Sequence, residues 1–212
     1  FIPGMQKAGT TALASFLSQH PDICLVEGKE AHIFDNPEFY KTKDKLTFAK
    51  ENYQEKLRHY NGERYILDAT PITILHPLFI SSCAAICPNS KYIVMLRDPI
   101  ERALSHYSMT RERGFEPFSP TKAFLLERSR MKGFYEQLPF SPFESKYRDQ
   151  SYVIRGRYKK QLNYLQKQVS KSCIYIEQQK RLSTFHEDCM RDIFRFLELP
   201  YISIEKKEIF KS

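Results

Sequence analysis

Residues 4–11 read Gly-Met-Gln-Lys-Ala-Gly-Thr-Thr, and this stretch decides how the rest of the sequence is interpreted. A short apolar start, Phe1-Ile2, precedes it, and an apolar helical pattern over residues 12–17 follows directly. In a strand, glycine loop and helix in that order, backbone N–H groups converge at the positive end of the helix dipole. The stretch therefore predicts a site for a phosphate or a similar anion.

The spacing of the two glycines, Gly-x4-Gly, is that of a nucleotide P-loop, but the residues after the second glycine differ. A P-loop NTPase has Lys and then Ser or Thr there, for the terminal phosphates and Mg²⁺. This chain has Thr10-Thr11 instead, and its lysine, Lys7, lies inside the loop. We interpret the stretch as a P-loop-like cradle for another anion. A P-loop nucleotide kinase or NTPase is the alternative, and a nucleotide-binding module without catalysis is a third possibility.

Segments with strand character alternate with helical patterns along the chain. We expect strands over 1–3, 23–26, 64–68, 91–96 and 173–177, and helices over 9–19, 76–87, 121–130, 151–169 and 184–199. Residues 92–96 form a nearly continuous apolar run, which is typical of a parallel strand buried on both faces. After it, Asp98 is predicted to cap a helix that begins at Pro99.

This alternation predicts an α/β fold, a three-layer sandwich with a central, mostly parallel sheet and a P-loop-like nucleotide-binding arrangement. At 212 residues the chain fits one domain, 1–212, and we expect both ends to be cropped. In such a sheet, ligands bind beyond the carboxyl ends of the strands. The loops that follow four strands, 4–11, 27–35, 68–71 and 97–105, should therefore converge on one cleft.

The composition of the chain limits the kinds of ligand and partner that it is expected to bind. The excess of 33 basic over 25 acidic residues, a net charge of +8, favours an anionic ligand or substrate. No apolar run reaches the roughly 18 to 20 residues of a membrane span. The five cysteines are odd in number and form no CxxC pair, which favours reduced thiols and the cytosol. Residues 150–181 are basic, but no nucleic-acid motif accompanies them, so a nucleic-acid partner is not expected.

Two further stretches of sequence form motifs together with the loop at residues 4–11. Residues 29–35 read Lys-Glu-Ala-His-Ile-Phe-Asp, and residues 96–107 read Leu-Arg-Asp-Pro-Ile-Glu-Arg-Ala-Leu-Ser-His-Tyr. With residues 156–158 and 196–200, they resemble the sulfotransferase family that uses 3′-phosphoadenosine 5′-phosphosulfate, especially its bacterial and glycosaminoglycan-type branches. The resemblance implies transfer of a sulfuryl group from this nucleotide, without a metal, to an acceptor hydroxyl or amine on a glycan, lipid or small molecule.

The resemblance also assigns the donor site. The residues that would bind the nucleotide are Lys7, Ala8, Gly9, Thr10, Thr11, Arg97, Ser105 and Tyr158. Lys7 would stabilise the charge that develops on the leaving phosphate, because sulfuryl transfer builds charge on the bridging oxygen. Arg97 and Ser105 match the 3′-phosphate site of the family, and Tyr158 would meet the adenine.

The acceptor proton needs a base, and Glu30 is the preferred general base. His32 is the alternative, because some sulfotransferases use a histidine and an imidazole suits neutral pH. His32 could instead orient Glu30, and Asp35 could cap the next helix. The predicted catalytic residues are thus Lys7, Glu30 and His32, whereas Glu101 and Arg102 are interpreted as surface charges or i,i+4 charge partners.

Two departures from the family pattern bear on the site. Ala69 stands where glycosaminoglycan-type enzymes commonly have a second lysine, and the basic, glycine-containing loop expected near the C-terminus is not seen before Ser212. The acceptor pocket is expected from residues 36–60 and 114–149, for an acceptor that is anionic or a carbohydrate. We expect a cytoplasmic protein, with the Golgi lumen as the alternative if this is a cropped eukaryotic catalytic domain. The oligomeric state is not predicted.

Overall fold

The computed structural model describes residues 1–206 of the chain. Its strands are β1 (Ile23–Leu25), β2 (Tyr65–Leu67), β3 (Tyr92–Leu96) and β4 (Ile174–Gln178). Its α-helices are α1 (Thr10–Leu17), α2 (Pro37–Lys41), α3 (Lys45–Lys56), α4 (Pro77–Ile86), α5 (Pro99–Glu112), α6 (Pro120–Arg130), α7 (Phe134–Gln137), α8 (Lys146–Asp149), α9 (Tyr158–Gln168), α10 (Gln179–Thr184) and α11 (His186–Leu197).

The strands pair in parallel, as predicted. β1 pairs with β2, and β3 pairs with β4. Residues 1–5 are extended rather than a regular strand, and they connect the two pairs: the N–H of Ile2 donates to Asp68 O, and the N–H of Met95 donates to Gly4 O, both at 2.9 Å. The loop that begins at Gly4 therefore emerges from the middle of the sheet.

Helices cover both faces of this sheet. The first four residues of β3 are all buried, and consecutive side chains of a strand point to opposite faces. The prediction of a three-layer α/β sandwich is confirmed. α4 packs against α9, while α1 contacts α11 through the rings of Phe16 and His186, whose centroids are 4.5 Å apart.

The prediction of one helix over residues 151–169 is wrong in its first half, where the regular helix begins only at Tyr158. Arg102 donates a hydrogen bond to the carbonyl of Tyr152, and the carboxylate of Glu127 accepts from the N–H groups of the next two residues. Side chains of α5 and α6 therefore satisfy the backbone groups that a helix would pair. The interpretation of Arg102 as a surface charge is also wrong, because its side chain is fully buried.

The boundaries of the other helices differ less from the predicted ones. The expected last helix, residues 184–199, corresponds to α11, and the short helix α10 precedes it. The segment 114–149 holds α6, as predicted, and also the short helices α7 and α8. Asp98 caps α5 and Pro99 is its first residue, again as predicted. The end of the predicted domain, residues 207–212, lies outside the described residues.

Among residues 1–206, no helix combines the length and the apolar character that crossing a membrane requires. The five cysteines, all within this part of the chain, are free thiols.

Candidate active site

A cleft of about 1080 Å³ opens where the strands end. Its lining comes from the four loops that the sequence predicts to converge, and also from Gln179 after β4. All the predicted site residues except Ala8 and Tyr158 line it. Of the two segments expected to form the acceptor pocket, 114–149 contributes to the lining of this cleft and 36–60 does not.

The N-terminus of α1 faces this cleft without a cap. Its N-cap residue is Gly9, which has no side chain to accept from the first turn, and that turn has no acidic residue. The first N–H groups of a helix lack intrahelical partners, and the helix dipole adds positive potential there. Thr10 and Thr11 therefore present backbone donors to an anion. The N–H of Ala8, by contrast, already donates to Met5 O at 3.1 Å.

Gly9 has a left-handed backbone, with φ of 88°, and a Cβ atom there would lie 3.1 Å from Cγ of Gln179. We expect Gly9→Ala to lower the free energy of unfolding by about 1–2 kcal/mol and to weaken binding of 3′-phosphoadenosine 5′-phosphate. Gly114→Ala is the matched control, because Gly114 has φ of 78° and open space around it. Urea unfolding and calorimetric titration of both variants test this. Equal loss of nucleotide binding in the two would contradict a specific role for Gly9.

Lys7 stands in the loop with a left-handed backbone, φ of 65°. Burial lowers the pKa of Lys7 from its usual value, an effect that Glu112 partly opposes and that Arg113 and Arg97 reinforce. Among residues 1–206, no carboxylate forms an ion pair with Lys7, so its ammonium group is available to a ligand anion. The guanidinium of Arg97 also donates to the carbonyl of Lys7 at 3.4 Å, which connects the loop to the end of β3.

Arg97, directly after β3, and Ser105, on α5, both line the cleft. Arg97 Nε lies 3.2 Å from Glu101 Oε2, and both side chains are partly exposed. Tyr158 is not in the cleft, since its hydroxyl donates to the carbonyl of Arg97 at 2.9 Å. Its predicted contact with adenine stays a prediction, and the observed role of Tyr158 is to hold the backbone of Arg97.

Glu30 and His32 line the same cleft as the loop and are in contact. His32 Nε2 is 3.2 Å from Glu30 Oε2, and Lys29 Nζ is 2.5 Å from Glu30 Oε1. Burial raises the pKa of Glu30, but the hydrogen bond from His32 and the charge of Lys29 outweigh it and leave this pKa below its usual value. Glu30 is thus a carboxylate, the form that can accept a proton. Lys29 also donates to Thr11 Oγ1 at 3.1 Å, which connects Glu30 with α1.

His32 lies between two carboxylates. Its Nδ1 is 3.0 Å from Asp35 Oδ2, on the side of the ring opposite Glu30. Burial lowers the pKa of His32, but the hydrogen bonds to Asp35 and Glu30 raise it to about 10. At neutral pH the ring is therefore an imidazolium that donates from both nitrogens, which favours Glu30 as the base and His32 as its orienting partner.

Asp35 does not cap the next helix, contrary to the expectation from sequence. Asn36 does so, by accepting from the N–H of Glu38. Asp35 is fully buried, and its Oδ2 accepts from Arg148 of α8 at 2.6 Å as well as from His32.

The backbone around the cleft is strained. The described non-glycine residues with positive φ are Lys7, Lys29, His32 and Glu198, and the first three line the cleft. Left-handed backbone at such residues costs about 1–3 kcal/mol each and persists only where the surrounding structure holds it. Concentration of this strain at one place supports a functional role for the cleft.

Several cleft residues had no signal in the sequence. Arg113, Phe143, Arg148 and Arg155 line it from α5, α8 and their neighbouring turns. They belong to no motif, and only the fold brings them to the loop. Lys29 is the exception, because it belongs to the motif at residues 29–35. Its position next to Glu30 is the one sequence signal that could indicate a role in the site. Among residues 1–206, no cluster of His, Cys, Asp or Glu side chains could hold a metal ion.

The fold and the cleft define a class of protein, and comparison with known families agrees. The family model for the sulfotransferase domain matches residues 1–212, so the chain belongs to the sulfotransferase domain family.

Individual relatives are similar over part of the chain. Heparan sulfate glucosamine 3-O-sulfotransferase 3B1 of Homo sapiens is 30% identical over 135 residues, 64% of this chain and 32% of that protein. The membrane-associated sulfotransferase kil1 of Dictyostelium discoideum is 34% identical over 106 residues, 50% of this chain and 21% of that protein. The chain thus spans a third or less of the length of these curated relatives.

Solved structures confirm the fold. The crystal structure of a sulfotransferase from Alicyclobacillus acidocaldarius superposes with a TM-score of 0.78 at 23% identity, over 100% of this chain and 85% of that one. The sulfotransferase domain from the curacin biosynthetic pathway superposes with a TM-score of 0.60 at 15% identity, over 92% of this chain and 72% of that one.

Proposed function

We propose that this chain is the catalytic domain of a sulfotransferase that transfers a sulfuryl group from 3′-phosphoadenosine 5′-phosphosulfate to an acceptor hydroxyl or amine. The observation that carries the proposal is a single cleft lined by an uncapped helix N-terminus, by Lys7 and by the Glu30 carboxylate. Family membership supports it.

The donor half of the cleft suits this nucleotide. The nucleotide is strongly anionic, and the loop offers backbone donors, the ammonium of Lys7 and the guanidinium of Arg97. We assign the 5′-phosphosulfate to the loop and the 3′-phosphate to Arg97 and Ser105. Ala69, fully buried, leaves the stabilisation of the leaving group to Lys7 without a second lysine at that position.

In the reaction, the bond between sulfur and the bridging oxygen of the donor is replaced by a bond between sulfur and the acceptor oxygen or nitrogen. The acceptor oxygen or nitrogen attacks sulfur as Glu30 takes its proton, while the bond between sulfur and the bridging oxygen breaks. Lys7 stabilises the negative charge that this oxygen gains, and 3′-phosphoadenosine 5′-phosphate leaves. His32 donates to Glu30 and holds the carboxylate in one orientation.

For the acceptor, we propose a carbohydrate or an anionic molecule. One relative is named for heparan sulfate glucosamine, so a glucosamine-containing polysaccharide is the first acceptor to test. Glycan, lipid, small-molecule and peptide acceptors complete the screen with a radiolabelled donor. For the compartment, free thiols favour the cytosol over the alternative of the Golgi lumen.

A calorimetric titration separates this proposal from a P-loop kinase or NTPase. We expect 3′-phosphoadenosine 5′-phosphate to bind without Mg²⁺, and ATP with Mg²⁺ to bind at least about tenfold more weakly, because Thr10 stands where an NTPase needs its lysine. Preferred, Mg²⁺-dependent binding of ATP would contradict the proposal. Tight binding of the bisphosphate without transfer to any acceptor of the screen would favour an inactive module.

A further inference from the structure

Arg148 comes to the site from a distant part of the chain. It belongs to α8, 113 residues after Asp35, and it is 5% exposed. Its guanidinium donates to Asp35 Oδ2 at 2.6 Å and also to the backbone carbonyl of Asp35. A fully buried carboxylate such as Asp35 is costly unless it is paired and hydrogen-bonded, so Arg148 helps to keep Asp35 ionised.

Asp35 is the far end of a row of contacts that reaches the proposed base. From Asp35 the row continues to His32 at 3.0 Å and from His32 to Glu30 at 3.2 Å. Each group fixes the orientation of the next, because each contact joins opposite charges through a hydrogen bond. Arg148 is therefore connected to Glu30 through Asp35 and His32 without touching it.

Phe143 lies beside the same residues. Its ring is 5.5 Å from the His32 ring, edge to face, and the guanidinium of Arg148 lies 4.7 Å from its centroid. Although Phe143 packs against these two side chains, it is 46% exposed, and it lines the cleft near the proposed base Glu30. Exposed aromatic surface of this kind at a site offers a face for a ligand ring.

We propose that Phe143 and Arg148 form the acceptor side of the cleft. Phe143 contacts the acceptor, a ring that carries the reacting hydroxyl, and Arg148 is a positioning residue that holds Asp35 and Phe143. This inference rests on the proposed function for the reaction, but its first test below does not need the reaction. The ring could be that of a sugar or of a phenol, and the two acceptors of the second test distinguish these sources.

The charged and titratable groups around Asp35, His32 and Arg148 come from four elements. They are Lys29 and Glu30 from the loop after β1, Tyr40 from α2, Arg148 and Asp149 from α8, and Arg155 from the turn before α9. Burial raises the pKa of Asp35, while the hydrogen bond from His32, the charge of His32 and then Arg148 lower it, with a net lowering. Loss of the Arg148 charge therefore shifts the pKa of Asp35 upward, and it loosens the hold of Asp35 on His32, whose hydrogen bond lowers the pKa of Glu30.

The first test compares Arg148→Met, which removes the charge, with Arg148→Lys, which keeps it. The probe is the carboxyl ¹³C resonance of Asp35, titrated with pH in protein without donor or acceptor. We expect Asp35 to titrate at higher pH in Arg148→Met than in the wild type, and Arg148→Lys to stay near the wild type. An unchanged midpoint in Arg148→Met, or an equal shift in both variants, would overturn the role of Arg148.

The same two variants are then assayed for transfer. In Arg148→Met the acid limb of the kcat profile should move to higher pH while the affinity for 3′-phosphoadenosine 5′-phosphate stays within about twofold of the wild type, since the donor half is intact. Failure of the proposed function would appear as absent nucleotide binding in the wild type itself. A lower kcat with an unmoved acid limb would show a merely structural Arg148.

The second test replaces Phe143 by alanine and uses two acceptors, 4-nitrophenol and a glucosamine oligosaccharide. We expect the KM of the acceptor that reacts to rise about tenfold, with the KM of the donor unchanged, because only the acceptor ring loses its aromatic contact. Phe140→Ala is the matched control, since Phe140 is 56% exposed in the same segment and does not line the cleft. An unchanged acceptor KM in Phe143→Ala, or an equal rise in the control, would overturn the acceptor contact.

Discussion

Replacement of Lys7 by alanine is expected to lower kcat for sulfuryl transfer by about 100- to 1000-fold. The reason is that Lys7 is the loop cation, unpaired within residues 1–206, next to the uncapped start of α1. A charge aimed at a developing anion in a partly buried site contributes mainly in the transition state, and removal of a single such group has effects of this size. The measurement is kcat with a radiolabelled donor and the acceptor found in the screen.

Binding of 3′-phosphoadenosine 5′-phosphate should fall much less than kcat in Lys7→Ala, because the backbone donors of the loop remain. Lys7→Arg keeps the charge and should retain part of the activity. Lys43→Ala, at an exposed position on the link between α2 and α3, controls for the loss of one positive charge. Equal losses of nucleotide affinity and kcat in Lys7→Ala would mean that Lys7 only binds the ground state, contrary to the proposal.

Replacement of Glu30 by glutamine is expected to lower kcat by about 100- to 10,000-fold, the usual range for a general base. Glutamine keeps the size of the side chain but cannot take up the acceptor proton. The affinity for 3′-phosphoadenosine 5′-phosphate should stay close to that of the wild type, since Glu30 faces the acceptor half. Glu27→Gln is the control, because Glu27 is exposed in the same loop and does not line the cleft.

The same experiment decides between the two possible bases. His32→Gln should cost less than Glu30→Gln, because an imidazolium with a pKa of about 10 has no free lone pair at neutral pH and acts by orienting Glu30. Full activity of Glu30→Gln together with an inactive His32→Gln would reverse the two roles. Melting temperatures near that of the wild type would show that neither variant is simply unfolded.

The meeting of residues 4–11 with residues 97–105 in one cleft could be predicted from the sequence because its determinants are local. Residues 4–11 contain the glycine, the lysine and the start of the helix within a single turn of chain, and residues 96–107 contain a strand end and a capped helix. Parallel strands then bring the two stretches to the same edge of the sheet.

The contacts on which the proposed acceptor half rests depend on the tertiary structure. Arg148 meets Asp35 across 113 residues of sequence, and neither residue's own neighbours indicate the contact. The prediction for Arg102 is wrong for the same reason. Its side chain is buried because it donates to the carbonyl of Tyr152, which the residue pattern of α5 does not indicate. Periodicity tells which face of an element is buried, but not which side chain from elsewhere will reach it.

The sequence by itself determined the α/β class, the parallel order of strand, loop and helix, and the anion cradle at residues 4–11, since each of these depends on short-range backbone geometry. Only the tertiary structure decided the charge state of His32 and the arrangement of residues 143–148. A pKa and a buried ion pair depend on the groups that packing brings within a few ångströms, and that packing involves distant parts of the chain.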